Sequence, residues 1–234
     1  MRRRVIALSV SLSLLLAGAI AWPSEARAQA AGPPADYKIV PKHTSTSPDG
    51  KTTIEQYAKI NADGDYTWQF WARRQDTLTM LEPEQLYYAA GFRFTNDSQW
   101  LVRMQKTGSG EQSLYLYRLT LRGYVAATAQ PFDEMAWAYF KSLPESRKVE
   151  MPDFHIATGL LKGTEENYRW LGVEWPDSRY LVLTLSGDVE PNDQHGQILS
   201  VRGWRCRHDL QKGAFDVPPE FAEHNAKAIA REAQ

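Results

Sequence analysis

The stretch Phe92–Leu119, FRFTNDSQWLVRMQKTGSGEQSLYLYRL, constrains this chain more than any other. Phe92 and Phe94 alternate with Arg93, the period of a half-buried strand. Thr95–Ser98 is a run of turn formers, whose Asn and Asp side chains bond nearby backbone and tolerate unusual φ. Trp100, Val102 and Met104 then point one way and Leu101, Arg103 and Gln105 the other. Thr107–Gly110 supplies a second turn. In Ser113–Leu119 apolar residues fall on both faces, which predicts a central strand or one covered on both sides.

Other segments follow the same grammar. Residues 37–41 predict a short first strand and Thr52–Ile60 a longer one. Between them, Ser47-Pro48-Asp49-Gly50-Lys51 is a turn, because Pro presets φ and Gly supplies φ > 0. Asn61–Asp65 is the next turn and Tyr66–Ala72 the next strand, an Asp-Gly hairpin pattern. Pro83–Leu86 predicts one helical turn, with Pro at its first position. Pro131–Leu143 predicts a helix ended by Pro144, and a strand is expected within 154–161. Tyr168–Leu185 and Gly196–Leu210 read as a second hairpin, with Gly203 at a bulge. Pro218–Ala233 predicts a C-terminal helix, with Phe221, Ala222, Ala226, Ile229 and Ala230 at helical spacing.

Placing Asp97 on Asp177, an offset of 80 residues, matches Phe92 with Val173, Phe94 with Trp175 and Leu101-Val102 with Leu181-Val182. This predicts an internal repeat over about 86–143 and 166–233, with 45–74 as a third unit. The turn at 47–51, the stretch 94–102, the strand Leu114–Leu119 and the stretch 175–182 resemble the WD40-like blades of TolB-type β-propellers. That resemblance implies a binding scaffold and no particular reaction. Three units are too few to close a propeller, which takes at least four blades. The fold expected is therefore mostly β: antiparallel blade-like hairpins, packed as a sandwich or as incomplete propeller-like sheets, with a mid-chain helix and a C-terminal helix.

The chain begins with Arg2-Arg3-Arg4, an apolar run over Val5–Trp22, then Pro23 and two small-x-small sites at Ala26–Ala28 and Ala28–Ala30. Residues 1–29 thus read as a cleavable secretory signal, the rival being an uncleaved anchor. Residues 30–36 form a small, Pro-rich linker, and 37–234 a single domain. Subtracting the four arginines and Glu25 of the leader from 27 basic and 28 acidic residues leaves 23 and 27, a net charge of −4. No basic footprint for nucleic acid or anionic membrane results. The single Cys206 leaves no partner for an internal disulfide, so a core must supply the stability.

Candidate chemistry is sparse. Asp188, Glu190, Asp193 and His195 lie in the polar loop 186–196, the place where a ligand would be gripped. Asp193 and Leu199 stand where a calcium-binding EF-hand loop needs Gly and Glu, so no metal is expected. His208-Asp209 with Ser109 or Ser186 lacks a nucleophile elbow. Glu165, Glu166, Glu174 and Asp177 lie near aromatics, as carboxylates do in glycosidase clefts, but alternation and turn chemistry explain them too. On the strand YTWQFWARR both faces carry Trp, so Trp71 is expected outside if Trp68 is inside, as a platform for a sugar ring or a partner. The expectation is a non-catalytic binding protein exported to a Gram-negative periplasm, with a protein or glycan partner, no cofactor, no nucleic acid and no membrane anchor after cleavage. The alternatives are a secreted hydrolase of cell-wall or other glycans and an inhibitor or accessory of an envelope complex.

Overall fold

The computed structural model describes residues 32–108, 111–148, 157–160, 178–187 and 201–229. The leader 1–29 lies outside the described residues. The chain is mostly β, with antiparallel pairing throughout three sheets. Sheet A is formed by β1 (Lys38–Ile39), β2 (Ser45–Thr46), β3 (Thr52–Ile60), β4 (Tyr66–Arg74), β5 (Thr77–Met80) and β6 (Gln85–Leu86). Sheet B is the meander β7 (Ala90–Phe94), β8 (Trp100–Lys106), β9 (Gln112–Thr120) and β10 (Gly123–Ala126). Sheet C is β11 (Ala157–Leu160), β12 (Tyr180–Gly187), β13 (Val201–Asp209) and β14 (Ala214–Asp216). Among the described residues these sheets close into neither a barrel nor a ring.

Two turns start their hairpins with one set of bonds. In the first, Ser47 N–H donates to the Thr52 carbonyl and Gly50 N–H to the Ser47 carbonyl, both at 2.9 Å. The Ser47 hydroxyl donates to Asp49 Oδ1 at 2.6 Å, which also receives Lys51 N–H at 3.0 Å. Thr52 N–H returns to Ser47 Oγ at 3.0 Å. Forty-eight residues on, Thr95, Asp97, Ser98, Gln99 and Trp100 make the same bonds, with Thr95 Oγ1 to Asp97 Oδ1 again 2.6 Å. The residue after Asp is left-handed in both: Gly50 at φ 68° and Ser98 at φ 58°. Register continues the correspondence, since Gln56 pairs with Phe70 in sheet A and Met104 with Leu114 in sheet B. In sheet C, Thr184 pairs with Arg205, and Leu210 N–H reaches the Arg179 carbonyl as Leu119 N–H reaches that of Gln99. Residues 166–177, where the second unit was expected to begin, lie outside the described residues.

Sheet B is the middle layer. One face, with Phe92, Leu101, Tyr117 and Tyr124, packs on Ile54, Trp68, Phe70 and Leu81 of sheet A and the loop after it. The other, with Val102, Leu114 and Leu116, packs on sheet C through Leu181, Leu183, Trp204 and Cys206. This accounts for the two-sided apolar pattern of β9, because each face meets another sheet.

Helices fill the far edges. Helix α1 (Phe132–Ser142) buries Phe132, Ala136, Trp137 and Phe140, three of them aromatic, in the core between B and C. The C-terminal helix is shorter than expected: a 3-10 turn at Pro219–Phe221 leads into α2 (Ala222–Ala228). Residues 230–234 lie outside the described residues. Each helix caps an edge. Asp133 Oδ1 accepts Leu114 N–H at 2.9 Å, beyond the last pairing of β10. At the corresponding place in sheet C, Asn225 bonds both N–H and C=O of Arg205 at 2.8 Å. A side chain thus stands in for an absent strand, which backbone groups out of water require.

The expected helical turn is overturned. Gln85–Leu86 is not helical: it pairs with Thr67–Trp68 as β6, because the edge of β4 there offers backbone partners that β5 does not reach. The bulge at Gly203 is present, with φ 74° and a register shift opposite Leu185/Ser186.

Candidate functional site

At its turn end, sheet A carries the site. The β3–β4 turn closes by Asn61 N–H to the Asp65 carbonyl at 2.7 Å, with Gly64 at φ 86°. The Thr67 hydroxyl donates to Asn61 Oδ1 at 2.8 Å and fixes the tip. Ile60 and Tyr66 then face one another as the last cross-strand pair. The β6 segment brings Leu86 opposite Thr67, and Tyr87 N–H bonds the Tyr66 carbonyl at 2.8 Å. Four large side chains are exposed at this end: Ile60 at 64% and Tyr66 at 46% as a cross-strand pair on one face, Leu86 at 46% on the opposite face with Thr67, and Tyr87 at 54% beside the Tyr66 backbone.

Behind them the aromatic layer continues. The Tyr66 and Trp68 rings lie 6.1 Å apart, and His43 lies 5.7 Å from Trp68. Tyr87 meets Tyr88 at 6.2 Å, and Lys106 Nζ sits 4.6 Å over the Tyr88 ring. Trp68 is buried, and its indole N–H has no acceptor among the described residues. The exposed Tyr66 and Tyr87 rings beside Ile60 suit contact by burial of apolar area.

Trp71 is not that platform. It is 1% exposed, so both tryptophans of β4 are buried, on opposite faces of sheet A. Its indole N–H donates to Gln69 at 3.0 Å; Gln69 in turn donates to Glu84, which also accepts the Tyr37 hydroxyl. Residues around 37 and 84 thus close over a face that alternation left open. Asp188, Glu190, Asp193 and His195 lie outside the described residues, as do Ser109, Glu165, Glu166, Glu174 and Asp177. The sequence reading missed Ile60, Tyr66, Leu86 and Tyr87 as a group. Its available signal was the apolar run Leu86-Tyr87-Tyr88 placed in a turn.

The ionisable groups with displaced pKa have structural partners. Burial pushes the His208 imidazole down to about 4, between the Phe132 and Phe215 rings at 4.9 and 4.6 Å. Asp209 is held at about 2 by the Arg179 guanidinium, which reaches it at 2.8 Å, and by turn N–H groups. Ser186 Oγ accepts Gly203 N–H rather than facing His208. Burial would raise Glu55, but Arg73 at 2.6 Å and Tyr57 at 2.9 Å outweigh it and lower its pKa. Burial pushes the Cys206 thiol up, away from nucleophilic use. Among the described residues no three His, Cys, Asp or Glu side chains gather as metal ligands.

No family model matches this chain, and no curated protein matches it. Among solved structures it is similar to a mannose phosphorylase from Leishmania mexicana in complex with phosphate ion. Identity is 13% and the TM-score 0.27, over 74% of this chain and 48% of that one. The chain spans about half the length of that protein, and likeness at this level carries no argument about fold or function.

Proposed function

We propose that this chain is an exported, non-catalytic binding protein of a bacterial cell envelope, and that its contact surface is the turn end of sheet A. The observation that carries the reading is the exposure of the cross-strand pair Ile60 and Tyr66, with Tyr87 exposed where its N–H bonds the Tyr66 carbonyl. Tyrosines beside aliphatic side chains are what a protein partner buries at the centre of an interface. Export rests on the basic, apolar and small-residue order of residues 1–30. The displaced ionisable groups support a binding role, since they serve packing and turn closure.

The test is a periplasmic pull-down with the natural chain beside a Tyr66→Ser/Tyr87→Ser variant, read by mass spectrometry. The reading expects a protein recovered with the first and lost with the second. Recovery that is equal in both would overturn the surface. Turnover of a glycan by the purified chain would overturn the non-catalytic role.

A further inference from the structure

Two Asp-Gly steps occur in the chain, Asp49-Gly50 and Asp63-Gly64, and both lie exposed in turns of sheet A. The two turns share a backbone bond. Gly50 N–H donates to the Ser47 carbonyl at 2.9 Å, and Gly64 N–H to the Asn61 carbonyl at 3.0 Å. Both glycines are left-handed, at φ 68° and 86°, and at both a Cβ would meet nothing within 4 Å. So no side chain crowds either glycine as its nitrogen approaches the preceding carboxyl.

The carboxyl groups differ. Asp49 Oδ1 accepts the Ser47 hydroxyl at 2.6 Å and Lys51 N–H at 3.0 Å, and Oδ2 meets Arg74 at 3.5 Å. The Ser47 bond above all holds the Asp49 carboxyl below the usual carboxylate range, as a pinned anion. Asp63 lacks this grip: among the described residues no hydrogen bond or ion pair holds its carboxyl. Asn61 stands where Ser47 does, two residues before the Asp, but its Oδ1 accepts the Thr67 hydroxyl at 2.8 Å. A free carboxyl turns about its own side-chain bonds and, in its protonated fraction, is open to attack by the next nitrogen. A pinned anion is a poor electrophile.

We propose that Asp63 is a site of spontaneous isoaspartate formation, and that Asp49 is protected from it by the bonds of its own turn. The Gly64 nitrogen bonds to Asp63 Cγ, the Cγ hydroxyl leaves as water with the Gly64 amide proton, and a cyclic imide closes. Water then opens the ring. Where it adds to the Asp63 main-chain carbonyl, the original Asp63–Gly64 peptide bond breaks and the chain runs on through Cγ. Where it adds to Cγ, Asp is restored. Nothing is oxidised or reduced, and water is the only co-reactant. Isoaspartate lengthens the backbone by a methylene inside the loop that Asn61 N–H closes on the Asp65 carbonyl at 2.7 Å. That loop sets the register of Ile60 with Tyr66, so the change reaches the exposed pair. The step depends on the turn alone, whatever meets that pair.

The test ages the full natural chain at neutral pH and body temperature, digests it with trypsin and measures isoaspartate by enzymatic carboxyl methylation of each peptide. Peptides 60–73 and 43–51 carry Asp63 and Asp49 separately. The proposal expects isoaspartate in 60–73 at about tenfold or more its level in 43–51, the factor for breaking a charge-assisted bond at Asp49. In urea, where neither turn persists, the two peptides should gain it alike. Asp63→Glu should abolish the signal from 60–73, because the larger imide closes far more slowly. Ser47→Ala, which frees Asp49, should raise the signal from 43–51. Backbone amides between Ile60 and Thr67 should exchange faster in the aged chain. Equal levels in the two peptides of the folded chain, isoaspartate in neither, the same bias in urea, or a folded Ser47→Ala chain with no rise would overturn the assignment. The comparison within the natural chain needs no variant, so it decides the matter even where Ser47→Ala fails to fold.

Discussion

Asp49 N–H donates to the hydroxyl of Ser98 at 3.1 Å. The two residues sit at successive positions of equivalent turns, so the turn that opens sheet A is bonded to the turn that opens sheet B. Tyr124 extends the tie by donating its hydroxyl to the Ser98 carbonyl at 2.5 Å.

Equivalent turns should fail equally. Asp97→Ala removes acceptors for Thr95 Oγ1 and Gln99 N–H, and Asp49→Ala removes those for Ser47 Oγ and Lys51 N–H. Each substitution should cost about 1–2 kcal/mol in urea unfolding, from two lost bonds at a partly exposed site. Asp49 should cost slightly more, because Arg74 also reaches it. A cost at Asp97 several times that at Asp49 would contradict the equivalence.

Arg103 should be hard to replace. It is fully buried between the Phe70 and Tyr115 rings, at 4.2 and 4.5 Å, and donates to the carbonyls of Leu81 and Pro83. Arg103→Ala leaves the buried Leu81 carbonyl and the part-buried Pro83 carbonyl without this donor, and a cavity between sheets A and B, for a loss of about 3 kcal/mol or more. Arg103→Met keeps the apolar stem and should lose less. Chemical denaturation of both variants measures the difference.

Two buried groups should oppose one another with pH. Burial raises the Asp133 carboxyl to about 6, so between pH 3.8 and 6 the folded chain holds more proton and stability falls as pH rises. Burial lowers His208 to about 4, so between pH 4 and 6.5 the unfolded chain holds more proton and stability rises with pH. Each effect amounts to about 3 kcal/mol across its window and they largely cancel. Relative to the natural chain, Asp133→Asn should gain about 2 kcal/mol of stability change between pH 4.5 and 7, in the rising direction. His208→Phe should change it by a similar amount in the falling direction. Urea unfolding at the two pH values reads both signs.

The Asn225 amide should govern local opening at the edge of sheet C. Asn225→Ala strips both backbone groups of Arg205 of their partners. Hydrogen exchange of the Arg205 amide should accelerate by about tenfold or more, at a cost of about 2 kcal/mol in stability. Leu114 exchange should be unchanged, since Asp133 holds that position independently.

Hairpins were legible in the sequence because turn chemistry is local. Ser47-Pro48-Asp49-Gly50 and Thr95-Asn96-Asp97-Ser98 each carry their own hydrogen-bonding partners within six residues. The order of the layers was not legible, because it rests on Gln56, Asp133 and Asn225, polar residues that bond backbone 34, 19 and 20 positions away. Trp71 was misplaced for the same reason: period-2 alternation assigns a face, but cannot say that Tyr37 and Glu84 will close over it. The exposed residues escaped notice because Ile60 and Tyr66 lie on two strands and Tyr87 just after Pro83–Leu86, the segment expected to be helical.

The central claim is that the turn end of sheet A is where this chain meets its partner. It is tested most directly by placing a photo-crosslinking amino acid at Tyr87 and, as a control, at Lys212, and irradiating in the periplasm. The account predicts a discrete adduct from position 87, abolished by Tyr66→Ser, and none from position 212. Adducts absent at 87 but present at 212 would contradict it.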